Sequence, residues 1–236
     1  MSDWASKRFW KNTAVAAVDC GFTIHLDGRG VKTPAKRTLV VPTENLAEAI
    51  AAEWDAQEDM VDPLTMPMTR SANAAIDKVA IQKDEVADLI AAYGENDLLC
   101  YRADGPRELI ERQAAIWDPL LDWAATALDA RLSTTQGIMH AEQPENSIAA
   151  LRAAVFDQDN FGLTALHDLV SISGSLVIGL AAQKNAFDLG DLWQASRLDE
   201  LWQIEQWGDD EEATEAAHKK ESAFVHAHEF FVQTLN

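Results

Sequence analysis

Two spacings of apolar residues divide the chain. In the first forty residues, short apolar runs at 15–18, 22–26 and 38–41 alternate with Gly, Pro and Asp, which predicts β-strands. Asp27-Gly28 stands between two such runs and predicts a tight hairpin turn. From about residue 70 onward, apolar residues recur every three or four positions, as they do on one side of an amphipathic helix.

The polar residues between these runs set the predicted element boundaries. Thr43 stands before ENLAEAIAAEW and predicts a capped helix, because its hydroxyl can accept a free N–H of the first turn. Residues 62–71 contain two prolines and predict an extended linker. Further predicted helices cover about 70–93, 105–130, 146–157, 162–183, 191–206 and 210–234.

These elements predict an α+β fold. A small β-rich N-terminal domain with one helix would occupy residues 1–70, and a larger all-α helical bundle domain would occupy residues 71–236. Pro119 falls inside the helix predicted at 105–130. Because apolar residues keep helical spacing on both sides of it, we predict one kinked helix rather than a helix that begins at Asp118.

Charge limits the classes of partner. The chain of 236 residues has a formal net charge of −20, which argues against nucleic acid or an anionic membrane as a ligand. The charge is uneven: residues 1–41 hold seven basic and three acidic side chains, whereas residues 191–215 hold one and nine. Such acidity usually keeps a protein soluble. Less often it marks a protein that holds a basic or aggregation-prone partner, or one that mimics nucleic acid.

Cysteine usage and the chain start bear on the compartment. Cys20 and Cys100 are far apart in the sequence, so a disulfide framework is not expected and a reducing compartment is. The first twenty residues show neither a signal-peptide core nor a long presequence, and the longest uncharged run, residues 169–183, is too short for a membrane span. We therefore expect a cytoplasmic protein without a membrane partner.

Motifs for catalysis or metal binding are weak. Residues 27–33, DGRGVKT, lack the spacing of a phosphate-binding loop. His226 and His228 would point about 200° apart on a helix, which suits no single metal ion. Cys100 has apolar neighbours and is expected to be a buried hydrophobe. We predict no catalytic residue, no metal, no cofactor and no small-molecule substrate.

The segment 197–213, RLDELWQIEQWGDDEEA, combines two tryptophans with seven carboxylates. At about 100° per residue, Glu205 falls on the apolar side of the predicted helix. Glu200, Gln203 and Trp207 share the opposite side. An interaction surface and coverage by another helix both explain that side. A carboxylate-dependent enzyme and an acidic nucleic-acid mimic remain as alternatives.

Seven stretches in the same order give the chain a family resemblance: RFWK, LDGRGVKTP, LVVPTENLAEAIAAEWDAQ, MPMT, DLLCYRA, QAAIWDPLLDWA and ASRLDELWQIEQWGDDEEA. Together they resemble the ATP-synthase assembly chaperones of the Atp-twelve type, found in mitochondria and in alphaproteobacteria. The resemblance covers nearly the whole chain.

This resemblance implies a chaperone rather than an enzyme. Such proteins bind the unassembled α subunit of the soluble catalytic head of F-type ATP synthase until a β subunit replaces them. Their fold is a small β-rich domain followed by a larger helical one. A bacterial cytoplasmic member is expected here, whereas eukaryotic relatives would act in the mitochondrial matrix. By motif position, the implied partner-binding residues are Glu200, Gln203 and Trp207, with Glu205 at a position that varies between glutamate and glutamine.

Overall fold

A computed structural model describes residues 7–137 and 139–235. Its contacts divide the chain into two compact units. Unit 1 comprises the described residues up to Lys83, Asn160–Ala165 and the described residues from Glu229 onward; unit 2 comprises Asp84–Asp159 and Leu166–His228. Residues 71–83 and two later segments thus belong to unit 1, which local composition does not reveal. The domain boundary at residue 70 stays a prediction.

Unit 1 contains a four-stranded antiparallel sheet. Its strands are β1 (Thr13–Val18), β2 (Gly21–Leu26), β3 (Arg29–Gly30) and β4 (Val40–Val41). Strand β2 pairs with the other three. The predicted hairpin is confirmed: Asp27 and Gly28 both have positive φ, 47° and 79°, as a two-residue type I′ turn requires.

A helix covers this sheet and supplies part of the core of unit 1. Helix α1 (Glu44–Asp55) begins as predicted, since the Thr43 hydroxyl accepts a hydrogen bond from the Leu46 N–H at 3.2 Å. Leu46 and Ile50 are fully buried with Ile24 and other strand residues. Each such side chain contributes roughly 1.5–3 kcal/mol by leaving water.

The predicted linker at 62–71 is wrong. Asp62 caps a short 3-10 turn at Pro63–Thr65, and helix α2 (Pro67–Ala74) begins at Pro67. Proline suits the first helical position because its missing N–H has no intrahelical acceptor there. The chain then forms a π-helical turn at Ala75–Val79 before helix α3 (Lys83–Ala91).

The remaining helices are α4 (Arg107–Ala127), α5 (Glu145–Phe156), α6 (Asn160–Ser173), α7 (Leu176–Gln183), α8 (Leu189–Ser196), α9 (Leu198–Trp207) and α10 (Glu211–Gln233). Strands β5 (Tyr101–Arg102) and β6 (Thr135–Gln136) form a short parallel pair. Helix α4 runs continuously through Pro119, as predicted. A small N-terminal sheet with a larger helical part confirms the α+β fold class.

The helix predicted at 70–93 is interrupted at residues 80–82, before α3. Two further predicted helices are each broken in two. The helix predicted at 162–183 is interrupted at Gly174, which adopts φ 73°, and Ser175 caps α7 by accepting the Ile178 N–H at 3.0 Å. The helix predicted at 191–206 is interrupted at Arg197, between α8 and α9. Periodicity alone missed both breaks because the apolar spacing continues across them. No helix in the described ranges has the length and apolar character to cross a membrane.

Candidate functional site

Helix α9 presents two different sides. Leu198 is 2% exposed, and Leu201 and Trp202 are half-buried, so this side packs as the apolar spacing predicted. It packs against helix α4. We call the side formed by Leu198, Asp199, Leu201, Trp202 and Glu205 the α4-facing side.

Polar side chains of α4 hold the α4-facing side. Arg112 Nη1 donates to Glu205 Oε1 at 2.8 Å, and the buried Gln113 Nε2 donates to Asp199 Oδ1 at 2.7 Å. The Arg112 guanidinium also lies 4.9 Å from the centre of the Trp202 ring, within the range of a cation–π interaction. The two ends of the α4-facing side are thus bonded to neighbouring positions on α4.

The Arg112 contact explains why a carboxylate occurs within an apolar stripe. The hydrogen bond from Arg112 lowers the pKa of Glu205, and the same bond raises the pKa of Arg112. Glu205 is therefore a charged partner of α4 at neutral pH. Sequence reasoning missed Arg112, which is 93 positions away. The one available signal was the acidic residue itself, since a carboxylate on a packing face calls for a cation opposite.

The other side of α9 holds three exposed residues. Glu200, Gln203 and Trp207 are all exposed, and Trp207 is 79% exposed. None of the three side chains has a hydrogen-bond or ion-pair partner among residues 7–137 and 139–235. We call these three residues the outward face. A large indole exposed beside a free carboxylate and a free amide is a typical composition for a protein-binding surface.

The acidic residues that follow α9 begin the next helix. Asp210 Oδ1 accepts the Ala213 N–H at 2.8 Å, and Asp209 accepts a hydrogen bond from the Thr214 hydroxyl. Glu211 and Glu212 lie in the first turn of α10, where negative charge is favourable near the helix N-terminus. No group of three or more His, Cys, Asp or Glu in the described chain is placed to hold a metal ion.

Trp117 on α4 has a packing role. It is fully buried, and its Nε1–H donates to the Ala195 carbonyl at 2.8 Å. Asp118, the next residue, forms an ion pair with Arg102 at 2.8 Å. The family-like WDP stretch therefore stabilises unit 2 internally and does not contribute to the outward face.

Cys100 is a buried hydrophobe, as predicted. Burial raises the pKa of its thiol to about 12, and the nearby Asp97 carboxylate adds to the effect. The fully buried Asp97 has its own pKa raised by burial, although its carboxylate accepts backbone N–H groups of Leu99 and Val177 at 3.1 and 3.0 Å. The thiol stays protonated at neutral pH, so it is a poor nucleophile.

An exposed aromatic–polar helix face on a mixed α+β framework is compatible with a protein-binding protein. Comparison with known families is more specific. Residues 7–125 match the profile of the family described as ATP12 chaperone protein. The chain therefore belongs to the ATP12 chaperone family, and the resemblance drawn from the sequence is confirmed.

Three relatives match the chain well beyond residue 125. The crystal structure of Atp12 from Paracoccus denitrificans is 46% identical, covers 99% of this chain and 100% of its own, and superposes with a TM-score of 0.96. The Atu1473 protein of Agrobacterium tumefaciens is 41% identical over 98% of this chain and 86% of its own, with a TM-score of 0.91. Mitochondrial protein atp12 of Schizosaccharomyces pombe is 28% identical over 89% of this chain and 76% of its own.

These matches assign the chain to the chaperones of ATP synthase assembly. The absence of catalytic activity and the cytoplasmic location stay predictions.

Proposed function

We propose that this chain binds the unassembled α subunit of the soluble catalytic head of F-type ATP synthase, prevents its aggregation, and yields it to the β subunit. The outward face of α9 is the proposed contact surface. Membership in the ATP12 chaperone family supports the assembly role. The observation that carries the contact surface is Trp207, which is 79% exposed at the end of a helix whose other side is firmly packed.

Physical chemistry favours such a surface for a holding chaperone. A subunit that waits for its neighbours exposes an apolar interface, which self-associates unless another protein covers it. An exposed indole is suited to that contact, because buried tryptophans contribute a large share of the binding free energy in protein interfaces. A small patch also permits release when a better partner arrives.

The polar residues of the outward face can form hydrogen bonds that fix the orientation of the bound subunit. Glu200 offers carboxylate oxygens, and Gln203 offers both a donor and an acceptor. Neither side chain has an intramolecular partner in the described chain, so both are available to a client. Glu205 lies on the α4-facing side and not on the outward face, but we keep it among the proposed partner-binding residues because its side chain is 51% exposed. We expect it to contribute less, because Arg112 already neutralises its charge.

Overall charge assists this role without specifying the partner. A net charge of −20 keeps a complex with an aggregation-prone subunit soluble and accelerates encounter with a basic patch. No feature of the described residues favours either alternative drawn from the sequence, the carboxylate-dependent enzyme or the nucleic-acid mimic.

Aggregation of purified α subunit tests the proposal. The subunit is diluted from denaturant with or without this protein, and light scattering is recorded. Wild-type protein should suppress scattering near a 1:1 ratio, and Glu200→Lys should suppress it much less. Glu108→Lys is the matched control, because Glu108 is also an exposed acidic residue in the first turn of a helix of unit 2. The proposal fails if wild-type protein leaves scattering unchanged, or if the two variants behave alike.

A further inference from the structure

Strand β1 lies at the edge of the sheet of unit 1. Its residues pair with β2 on one side, and no strand within residues 7–137 and 139–235 pairs with its other side. No residue of β1 is buried, whereas β2, in the middle of the sheet, holds three buried residues. The outer edge of β1 thus has neither a strand partner nor a covering that buries its residues.

The hydrogen bonds of the sheet show which backbone groups of β1 face outward. Val15 stands opposite Ile24, whose carbonyl accepts the Val31 N–H at 2.8 Å and therefore faces away from β1. In an antiparallel pair, hydrogen-bonded and non-hydrogen-bonded positions alternate. The N–H and C=O groups that face away from β2 therefore belong to Thr13, Val15 and Ala17. None of these backbone groups has a hydrogen-bond partner in the described chain.

Strand β1 lacks the features that normally protect an open edge. Natural sheets protect such edges with charged side chains, with proline or with a bulge. The sequence of β1, TAVAAV, contains no charged residue and no proline, although 25% of the chain is charged. Its register with β2 is continuous over all six positions, so it contains no bulge. A regular, unprotected edge is the structure to which an extended polypeptide adds as a further strand.

A second copy of this chain is disfavoured as the added strand. Each copy has a net charge of −20, so two copies repel each other. The contact would be limited to two strands about 20 Å long, whereas a stable interface buries roughly 1,200–2,000 Å². This size limit does not apply to a client that is already bound through the outward face of α9, because the strand then adds to an existing contact.

An unassembled subunit that aggregates offers the complementary structure. Aggregation proceeds through unpaired strands and exposed apolar segments. A chaperone that pairs with such a strand satisfies its backbone and keeps other copies of the client from pairing with it. The exposed side chains of β1 are small or apolar, those of Ala14, Ala17 and Val18. A segment of uncharged, β-branched residues fits beside them, because a charged side chain would lose water there without gaining an opposite charge.

We propose that β1 binds an extended, uncharged segment of the unassembled α subunit by strand addition. The segment exchanges backbone hydrogen bonds with the outward N–H and C=O groups of Thr13, Val15 and Ala17. This proposal rests on the proposed function, because it adds a second contact for the same client. It uses unit 1 alone and no residue of the outward face.

Hydrogen exchange at single amides of the full-length chain tests the strand addition. Mass spectrometry with electron-transfer fragmentation separates neighbouring amides of β1. In the free protein, Ala14, Ala16 and Val18 should exchange slowly, because their N–H groups bond to β2, and the three outward amides should exchange fast. Addition of α subunit diluted from denaturant should slow the outward amides at least about tenfold.

Substitution of Ala17 tests the same edge through affinity. Ala17→Pro removes one outward N–H and leaves the ladder with β2 intact, since proline is tolerated at such an edge position. It should weaken α-subunit binding about fivefold. Ala17→Ser is the matched control, because it keeps the N–H at the same exposed position, and it should weaken binding less than about twofold. Circular dichroism checks that both variants fold, and the exchange measurement on wild-type protein requires neither.

Failure of this proposal and failure of the proposed function give different results. A complex in which the outward amides keep their free exchange rates overturns the strand addition and leaves the proposed function intact. Absence of any complex overturns both. Equal effects of Ala17→Pro and Ala17→Ser also contradict the strand addition.

Slow exchange of the outward amides in the free protein would overturn the proposal as well. If dilution of the protein restores fast exchange, a second copy occupies the edge. If the exchange stays slow on dilution, the chain itself covers the edge.

Discussion

The two sides of α9 come from the same ten residues and do different things. On the α4-facing side, Asp199 and Glu205 are bonded to Gln113 and Arg112, and Leu198 is buried. On the outward face, Glu200, Gln203 and Trp207 contact no polar partner in the described chain. The comparison shows that carboxylates of one acidic cluster must be assigned roles one at a time, from what each side chain meets.

The largest expected difference between the two sides is in stability. Leu198→Ala should lower the free energy of unfolding by about 2–5 kcal/mol, because it leaves a cavity in a packed contact. Trp207→Ala should change it by no more than about 0.5 kcal/mol, because the indole is exposed. Urea denaturation followed by circular dichroism measures both values. Similar losses in the two variants would show that the outward face is covered in solution.

For binding of the α subunit, the outward face should matter more than the α4-facing side. Trp207→Ala should weaken binding of the α subunit by about 2 kcal/mol, or roughly 30-fold, as expected for a central aromatic residue of an interface. Leu89→Ala is the control, since Leu89 is an exposed apolar residue on another helix of unit 2. Biolayer interferometry with immobilised chaperone measures the affinities. Equal losses of affinity in both variants would show that the effect of Trp207→Ala is not specific to the outward face.

Substitution of the two glutamates of α9 should distinguish the two sides by a smaller difference in affinity for the α subunit. Glu200→Gln should weaken α-subunit binding about fivefold, because it removes a charge that is free to meet the client. Glu205→Gln should weaken it less than about twofold, because Arg112 already holds that carboxylate. The same interferometry experiment compares them. A greater loss in Glu205→Gln would move the contact toward the α4-facing side.

Acid should weaken the α4-facing side through Glu205, and this is the smallest effect that we expect. The pKa of Glu205 is lowered in the folded chain, so its contribution to stability is present above the unfolded pKa and is lost as pH falls through the folded pKa. Wild-type protein should therefore lose stability more steeply than Glu205→Gln between neutral pH and about pH 3. Urea denaturation at several pH values tests this. Parallel curves would mean that the ion pair contributes nothing to folding, as occurs for many exposed pairs.

Local sequence signals predicted much of the fold. The Asp27-Gly28 turn and the Thr43 cap each depend on side chains within three residues of the backbone they control. The breaks at Gly174 and Arg197 were missed, because an amphipathic pattern can continue while the backbone changes direction. Gly174 with its positive φ and the Ser175 cap supply a local signal for the first break, which the apolar spacing masked.

Local sequence patterns likewise predicted only part of the candidate surfaces. Helical projection of the sequence separates Glu200, Gln203 and Trp207 from Glu205, and the structure has that separation. It did not find Arg112, which bonds to Glu205 across 93 positions. Contacts between residues far apart in sequence depend on the tertiary fold, which local patterns along the chain do not reveal.

The most direct test of the central claim is a quantitative pull-down from cells that produce F-type ATP synthase. Tagged wild-type protein and Trp207→Ala are used as baits, and mass spectrometry measures the captured α and β subunits. The account predicts enrichment of the α subunit over the β subunit on the wild-type bait and loss of that enrichment on Trp207→Ala. Equal capture of the two subunits, or undiminished α-subunit capture by Trp207→Ala, would contradict it.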